Sequence, residues 1–439
     1  DYFFTPAFMF FAILLGLGAA GLLRSIGEVV EKYKSNHTFL RFTGYLVLVF
    51  LLFLPLLTFS KNFNSPNNRR NNYIPYDYAY NILNSCDENG IIFTNGDNDT
   101  FPLWFIQEVE GVRKDVRVVN LSLLNADWYI LQLKNQMGVP IDLEDEQIKW
   151  VEVVEGGRRI TRPQKPFYDK SLNSRRYLFP FYDPQRKRGM QLQDQMILII
   201  LESNQWKYPI YFSTTVTPNY WVGLDSNVVA EALAYRIVSE KGYRRVNQEK
   251  FHRLIEDVYK YRGVDDLGVY KDETTIGLLY IYPEKFIELA GYYFENDQKD
   301  KAFELLEKAI QVHPYYYRTY ILANHHYQSE GQEEKAEEIL KRGVENLEEA
   351  VRKQPYTVAY HQFLGALYYR SGEYENAQVE MERAFEMEPT DAFSFQPLVG
   401  FYLSTNQIEK AEKLIEKWIS KNPRDERAKN LLQQIRAKK

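Results

Sequence analysis

The sequence is poor in the residues that build covalent or metal-bound frameworks. It has one cysteine, Cys86, and six scattered histidines in 439 residues. A single thiol excludes an intramolecular disulfide and any cysteine-built zinc site, and so few histidines argue against a metal cluster. Charge is missing from two stretches, Ala7–Leu23 and Phe42–Phe59. Each is about as long as a helix must be to cross a hydrocarbon core of roughly 30 Å. A basic n-region is missing too: only Asp1-Tyr2-Phe3-Phe4-Thr5-Pro6 precedes the first run, which argues against a signal peptide. Nor does one sign of charge dominate. Lys and Arg number 54 against 59 Asp and Glu, a net charge of −5, so bulk electrostatics favour no nucleic-acid partner.

What is there first is a membrane hairpin over residues 1–60, with Arg24 to Arg41 as its polar link and Pro55 as a tolerated kink in the second span. Because the first run starts almost at Asp1, the hairpin reads as the end of a larger membrane core. Arg24, Lys32, Lys34 and Arg41 in the link outnumber Lys61, Arg69 and Arg70 beyond it. That asymmetry favours a cytoplasmic link and puts the rest of the chain on the other side of the membrane. After a linker at 61–75, about 380 residues suffice for two or more domains.

From about Pro283 to the end, residues 283–439, the chain is periodic. Pro355, Pro389 and Pro423 are 34 residues apart, as are Ala302 and Ala336, and Ala377 and Ala411. This is the period of tetratricopeptide helix–turn–helix units. Tyr293, Tyr327, Tyr368 and Tyr402 hold a recurring aromatic position, and Gly331 and Gly372 fall in the turn within a repeat. Pro314 to Pro355 is seven residues too long, so the second unit should have a longer second helix, by about two turns. The tyrosines either pack between helices or line a concave surface that grips another chain. Tyr315-Tyr316-Tyr317 and His325-His326 are the candidates for the second role. Repeat arrays bind other chains.

Residues 76–245 alternate between strand and helix patterns: helix Tyr76–Cys86, strand Gly90–Thr94, helix Thr100–Val109, strand Val116–Leu121, helix Ala126–Asn135. A hairpin from Ile148 turns at Gly156-Gly157, followed by helix Gln191–Ser203 and strand Pro209–Val216. This βαβα order predicts an α/β domain with a Rossmann-like, mostly parallel sheet, and a helical connector follows at 246–282. A site in such a domain lies beyond the carboxyl ends of the strands. Two polar segments are expected there, one with Asn95, Asp97, Asn98 and Asp99, the other with Asn125, Asp127 and Trp128. Asp97 and Asp99 form a D-x-D pair. It either binds a polar ligand, or holds a divalent cation through hard oxygens, or merely caps the next helix, with Pro102 in its first turn. Asn98 and Asn120 also head N-glycosylation triplets.

The insertion 158–188 carries ten basic residues and only Asp169 and Asp183 as acids, interleaved with aromatics such as Phe167, Tyr168, Tyr177 and Phe179. Either it is a solvated insertion, or it meets anionic lipid headgroups or a lipid-linked phosphate through Arg175, Arg176, Arg186, Lys187 and Arg188.

The run Ile92-Phe93-Thr94-Asn95-Gly96-Asp97-Asn98-Asp99-Thr100-Phe101-Pro102-Leu103-Trp104, with Gln107–Arg113 and Val118–Asn125, resembles the hallmark of a group of large bacterial membrane proteins. That group carries a domain of unknown function and is related to a eukaryotic luminal protein O-mannosyltransferase with a tetratricopeptide tail. The resemblance covers nearly the whole chain. It implies a GT-C glycosyltransferase that takes sugar from a polyprenyl-phosphate donor to a protein hydroxyl, in a bacterial inner membrane with the soluble part in the periplasm. In such enzymes the general base is an acidic residue of the first extracytoplasmic loop. No residue here matches that position, so no catalytic residue is expected in this chain, and no cofactor of its own. The expected partners are membrane lipid and an acceptor or partner protein, and no nucleic acid. Two other functions compete with this one: a membrane-anchored scaffold for an envelope complex, and a self-contained enzyme at the Asp97/Asp99 segment.

Overall fold

The structure is a computed structural model that describes residues 5–32, 37–63, 69–155, 158–163, 182–183, 188–189, 191–242 and 245–437. It divides into two compact units, Asp1–Arg70 and Asn71–Lys439. In the first, α1 (Thr5–Lys32) and α2 (His37–Phe63) lie against each other. Among the described residues one helix, Met9–Val29, is long and apolar enough to cross a membrane. Its side chains, Phe10, Leu14 and Leu17 among them, are exposed. In water such a surface would be a strong liability, whereas hydrocarbon accommodates it. The run read as the second span, Phe42–Phe59, falls within α2.

The second unit opens with α3 (Ile74–Ser85), which has Pro75 in its first turn. Then come β1 (Ile91–Thr94), α4 (Asp97–Glu108), β2 (Arg117–Asn120), a short turn Leu123–Asn125, α5 (Asp127–Asn135) and α6 (Asp145–Ile148). A hairpin of β3 (Trp150–Glu155) and β4 (Arg158–Pro163) follows, then the two-residue pair β5 (Tyr182–Asp183) and β6 (Arg188–Gly189). The chain continues through α7 (Leu192–Asn204), β7 (Ile210–Ser213), β8 (Val228–Glu231), β9 (Ala234–Ile237) and β10 (Arg245–Val246).

The six-stranded sheet has the order β10-β8-β9-β7-β1-β2. β1 pairs in parallel with both β2 and β7, and all four of its residues are buried, as in a strand covered on both faces. Ile92, Val118 and Tyr211 face a core shared with α3 and α4. Ile91, Val119 and Phe212 face a second core with α5 and α7. The expected βαβα half is therefore present. Among the described residues three of the five strand pairings are parallel, β8 with β10 being the third, so the sheet is mostly parallel as expected. It is also mixed, because β9 runs antiparallel to both β7 and β8. The cause is a two-residue turn, Ala232-Leu233, in which Ala232 takes the left-handed φ of 57°. Sequence signals for such turns are Gly and Asn. Here the turn is fixed from outside instead, since Leu233 donates its N–H to the Tyr259 hydroxyl at 3.1 Å and accepts from Thr214 N–H at 3.1 Å.

The connector is α8 (Gln248–Arg253), one π-type turn to Val258, a loop, and α9 (Glu273–Leu279). It is no free spacer, because Phe251, Leu254, Tyr259 and Val269 belong to the same buried core as the sheet and the repeats. Buried Asp77 of α3 accepts from Arg262 Nη2 at 2.6 Å, and Asn81 reaches the Tyr282 hydroxyl at 3.0 Å. Both bonds tie the α/β domain to the connector and first repeat.

The repeats are helix pairs: α10 (Ile281–Glu295) with α11 (Lys299–Val312), α12 (Tyr317–Ser329) with α13 (Glu333–Lys353), α14 (Val358–Arg370) with α15 (Tyr374–Met387), and α16 (Ala392–Ser404) with α17 (Ile408–Lys421). A last helix, α18 (Glu426–Ala437), covers the end. The extra length falls where expected: α13 has 21 residues, and its counterparts α11, α15 and α17 have 14 each. Ala302, Ala336, Ala377 and Ala411 are fully buried at the helix crossings. The turns reverse at Asp297, Gly331, Gly372 and Asn406, all with φ between 56° and 82°. Glycine takes that conformation without strain, and Asp and Asn tolerate it. Tyr315 and Tyr316, candidates for either packing or gripping another chain, are buried in the core with Tyr320 and Tyr360. His326 stacks on Phe294 with ring centroids 3.5 Å apart. Packing between helices therefore claims these residues.

Candidate functional site

The polar segments lie at the carboxyl ends of β1, β2 and β7. The first is not a loop. α4 begins at Asp97 with Gly96 as its N-cap, so Asp97, Asn98, Asp99 and Thr100 form its first turn. Asp99 is buried, and its carboxylate accepts from Asn95 N–H at 3.1 Å, Gly96 N–H at 2.9 Å and the Thr215 hydroxyl. Such a capping carboxylate contributes about 1–2 kcal/mol by satisfying otherwise orphaned donors near a helix N-terminus. Asp97 and Asn98 are exposed instead. The D-x-D pair thus offers one solvent-facing carboxylate and one already committed. Among the described residues no group of three or more His, Cys, Asp or Glu side chains is placed to hold a metal ion.

Below this turn runs a buried hydroxyl–amide chain. The Thr94 and Thr100 hydroxyls share a hydrogen bond of 2.7 Å, and Asn120 Nδ2 donates to Thr100 at 2.9 Å. Asn120 Oδ1 accepts from Leu123 N–H at 3.0 Å. Asn120 is fully buried, so of the two glycosylation triplets only Asn98 is accessible.

The second segment is also structural in part. Asn125 and Gln193 bond reciprocally, Nδ2 to Oε1 at 2.8 Å and Gln193 N–H to Asn125 Oδ1 at 3.2 Å. Asp127 accepts from Trp128 N–H at 2.8 Å and Trp150 N–H at 3.1 Å. The chain therefore leaves for the basic insertion at Trp150 and returns at Gln193, held at both ends by this loop. Arg175, Arg176, Arg186 and Lys187 lie outside the described residues. Arg188 is in β6, where its backbone pairs with Asp183, and its side chain is outside the described set.

Sequence reading missed two features. Thr215, which fixes Asp99, lies 116 residues away in sequence, and no local signal points to it. Phe101, Phe105 and Val109 stand exposed along α4, with Trp128 also exposed. Their i, i+4, i+8 spacing was legible.

Two further arrangements lie outside this site. Lys250 joins Glu231 and Asp87, and Arg236 adds a bond to Asp87 at 2.9 Å. Burial alone would raise the Asp87 pKa, but these cations hold it below the usual range. A cavity of about 670 Å³ separates β8–β10 from α10, lined by Trp221, Val228, Tyr235, Arg245, Ile287 and Tyr292 among others.

Residues 75–174 and 182–253, which include this site, match the family described as TMEM260-associated domain 2. This chain is similar to the TMEM260 proteins. The relationship implied by the run through Trp104 is thus shown. Residues 368–435 match a tetratricopeptide repeat family. The protein O-mannosyl-transferase TMEM260 of Mus musculus is 30% identical over 129 residues, which are 29% of this chain and 17% of the mouse protein. The match therefore spans less than a fifth of that TMEM260 protein. Solved structures similar in the repeat region include a thermophilic TPR protein of Thermus thermophilus, at 20% identity over 37% of this chain and 86% of that one, TM-score 0.28. YrrB, a TPR protein with an unusual peptide-binding site, is 16% identical over 34% and 90%, TM-score 0.19.

Proposed function

We propose that this chain is the acceptor-handling or partner-handling part of a GT-C-type protein O-glycosyltransferase. In this reading it is anchored in a bacterial inner membrane with its α/β domain and repeats in the periplasm. A polyprenyl-phosphate sugar donates to a protein hydroxyl, and the repeats hold the protein. One observation carries this: a domain matching the TMEM260-associated family and a tetratricopeptide array share one buried core, and an apolar helix precedes both in the sequence. The similarity to a protein named as an O-mannosyl-transferase supports the reaction class, and the array supports protein binding. The basic residues Arg175, Arg176, Arg186, Lys187 and Arg188 would meet membrane or donor phosphate.

A second reading, a scaffold without transfer, has its own support. Asp99 is committed to capping, and the repeat array by itself is a protein-binding architecture. A third, chemistry at Asp97/Asp99, is disfavoured by the same bonds.

The test is transfer of labelled hexose from a polyprenyl-phosphate donor to protein in membranes from cells carrying the full gene or a version ending after residue 316. Transfer that is lost with the repeats, while the truncated protein still inserts, supports the first reading. Transfer unchanged by the truncation overturns it, and no transfer with either version leaves the scaffold.

A further inference from the structure

We propose that the apolar stripe of α4, together with Trp128, rests in the interfacial layer of the bilayer that α1 enters. Phe101, Phe105 and Val109 are 51%, 54% and 65% exposed, and Trp128 is 56% exposed. Phe101, Phe105 and Val109 follow one another at i, i+4 and i+8 on one face of the helix. Phe101 stacks on Trp104 at 5.7 Å, and Trp104 and Trp128 both lie against the buried Tyr129 ring, at 6.4 Å and 5.7 Å. Single exposed apolar side chains are ordinary, but a contiguous aromatic patch marks a partner or membrane surface.

Three features select lipid as the occupant. The first is the tether. Only residues 64–73 separate the end of α2 at Phe63 from the start of α3 at Ile74. Fully extended they reach no more than about 40 Å, so the domain never leaves the vicinity of the bilayer. The second is side-chain type: Trp and Phe beside polar Asp97 and Asn98 suit the headgroup level, where aromatic rings concentrate. The third is charge. Both ends of the basic insertion are fastened beside Trp128, at Asp127 and Asn125. Its ten cations against two acids complement anionic headgroups. Of the exposed acids that border the stripe, Asp97, Glu108 and Glu110, Glu108 is paired with Lys114 at 3.6 Å.

This inference rests on the reading of the chain as membrane-attached, and the experiment separates the two. Cys86 is buried, so a cysteine introduced elsewhere is the one that takes a spin label. Phe105→Cys, Trp128→Cys, Leu14→Cys in α1 and Val379→Cys on the exposed surface of the repeats are each labelled in the full chain. The labelled proteins are placed in nanodiscs containing anionic phospholipid. Accessibility to dissolved oxygen and to a water-soluble nickel complex is then measured. The expected result is several-fold less nickel access at positions 105 and 128 than at 379, with high oxygen access. Nickel access equal to that at 379, while position 14 is in lipid, overturns the inference alone. Water exposure at position 14 overturns the membrane reading with it. Shielding of 105 and 128 from both reagents means that protein covers the stripe, and overturns the lipid occupant.

Discussion

The Thr215 hydroxyl donates to the Asp99 carboxylate, joining the segment after β7 to the first turn of α4. With the Asn95 and Gly96 N–H groups this carboxylate has three donors, and it is buried. Asp99→Ala should therefore cost about 2 kcal/mol, since it leaves buried donors unsatisfied. Asp97→Ala, two residues away and exposed, should stay within about 0.5 kcal/mol. Denaturant unfolding of both variants checks this. Equal losses would mean that the two carboxylates act together after all.

The Cys86 thiol is buried, and that burial pushes its pKa up to about 12, against the opposing pull of Lys250 and Arg113. A thiol reacts through its thiolate. Native protein at pH 8 should therefore resist a maleimide for hours and react within minutes in denaturant. Fast labelling of the native state would show that α3 opens readily.

His313 gives a pH dependence with a definite sign. It is buried among Tyr280, Tyr315 and Tyr316, its Nδ1 has no hydrogen-bond partner, and burial lowers its pKa to about 4. Its neutral form is favoured in the fold, so its contribution is complete above the unfolded value of about 6.5 and is lost as pH falls towards 4. The loss amounts to at most about 3 kcal/mol. His361 has the opposite sign, because Glu380 at 2.6 Å outweighs burial and raises its pKa. That contribution is present below about 6.5 and is lost as pH rises through the folded value. His313→Phe should flatten the decline of stability between pH 6.5 and 4 relative to the parent. Parallel curves for the two proteins would refute it.

Two helical glycines should respond oppositely to alanine. A Cβ on Gly343 would sit 2.8 Å from Leu367 Cδ1 and from Tyr320 Cγ, where α13 crosses its neighbours. Overpacking there should cost about 1–3 kcal/mol, more than the gain in helix propensity. A Cβ on Gly291, in α10, meets nothing within 4 Å, so Gly291→Ala should stabilise by up to about 1 kcal/mol. Thermal midpoints moving in the same direction would contradict the packing described for α13.

Much of this protein was legible from spacing alone. The first charge-free run locates the one helix among the described residues that is long and apolar enough to cross a membrane, because a length of about 20 apolar residues is itself the criterion. The repeats were readable to the length of one helix, since each unit solves the same packing problem and repeats its solution. Buried Ala302, Ala336, Ala377 and Ala411 bear this out. The strand β1 and the helices around it follow from local periodicity. What only the tertiary structure decided depends on distant partners. Ala232 turns the chain because Tyr259 and Thr214 hold Leu233, and that turn makes the sheet mixed. Asp99 caps α4 through the Asn95 and Gly96 N–H groups, and Thr215, far along the chain, adds the third donor. The tyrosines at 315 and 316 were open to both packing and binding, and the neighbouring helices that enclose them decide for packing. Periodicity records which face is buried. It does not record which remote group completes a hydrogen bond, and that is what separates a functional carboxylate from a structural one.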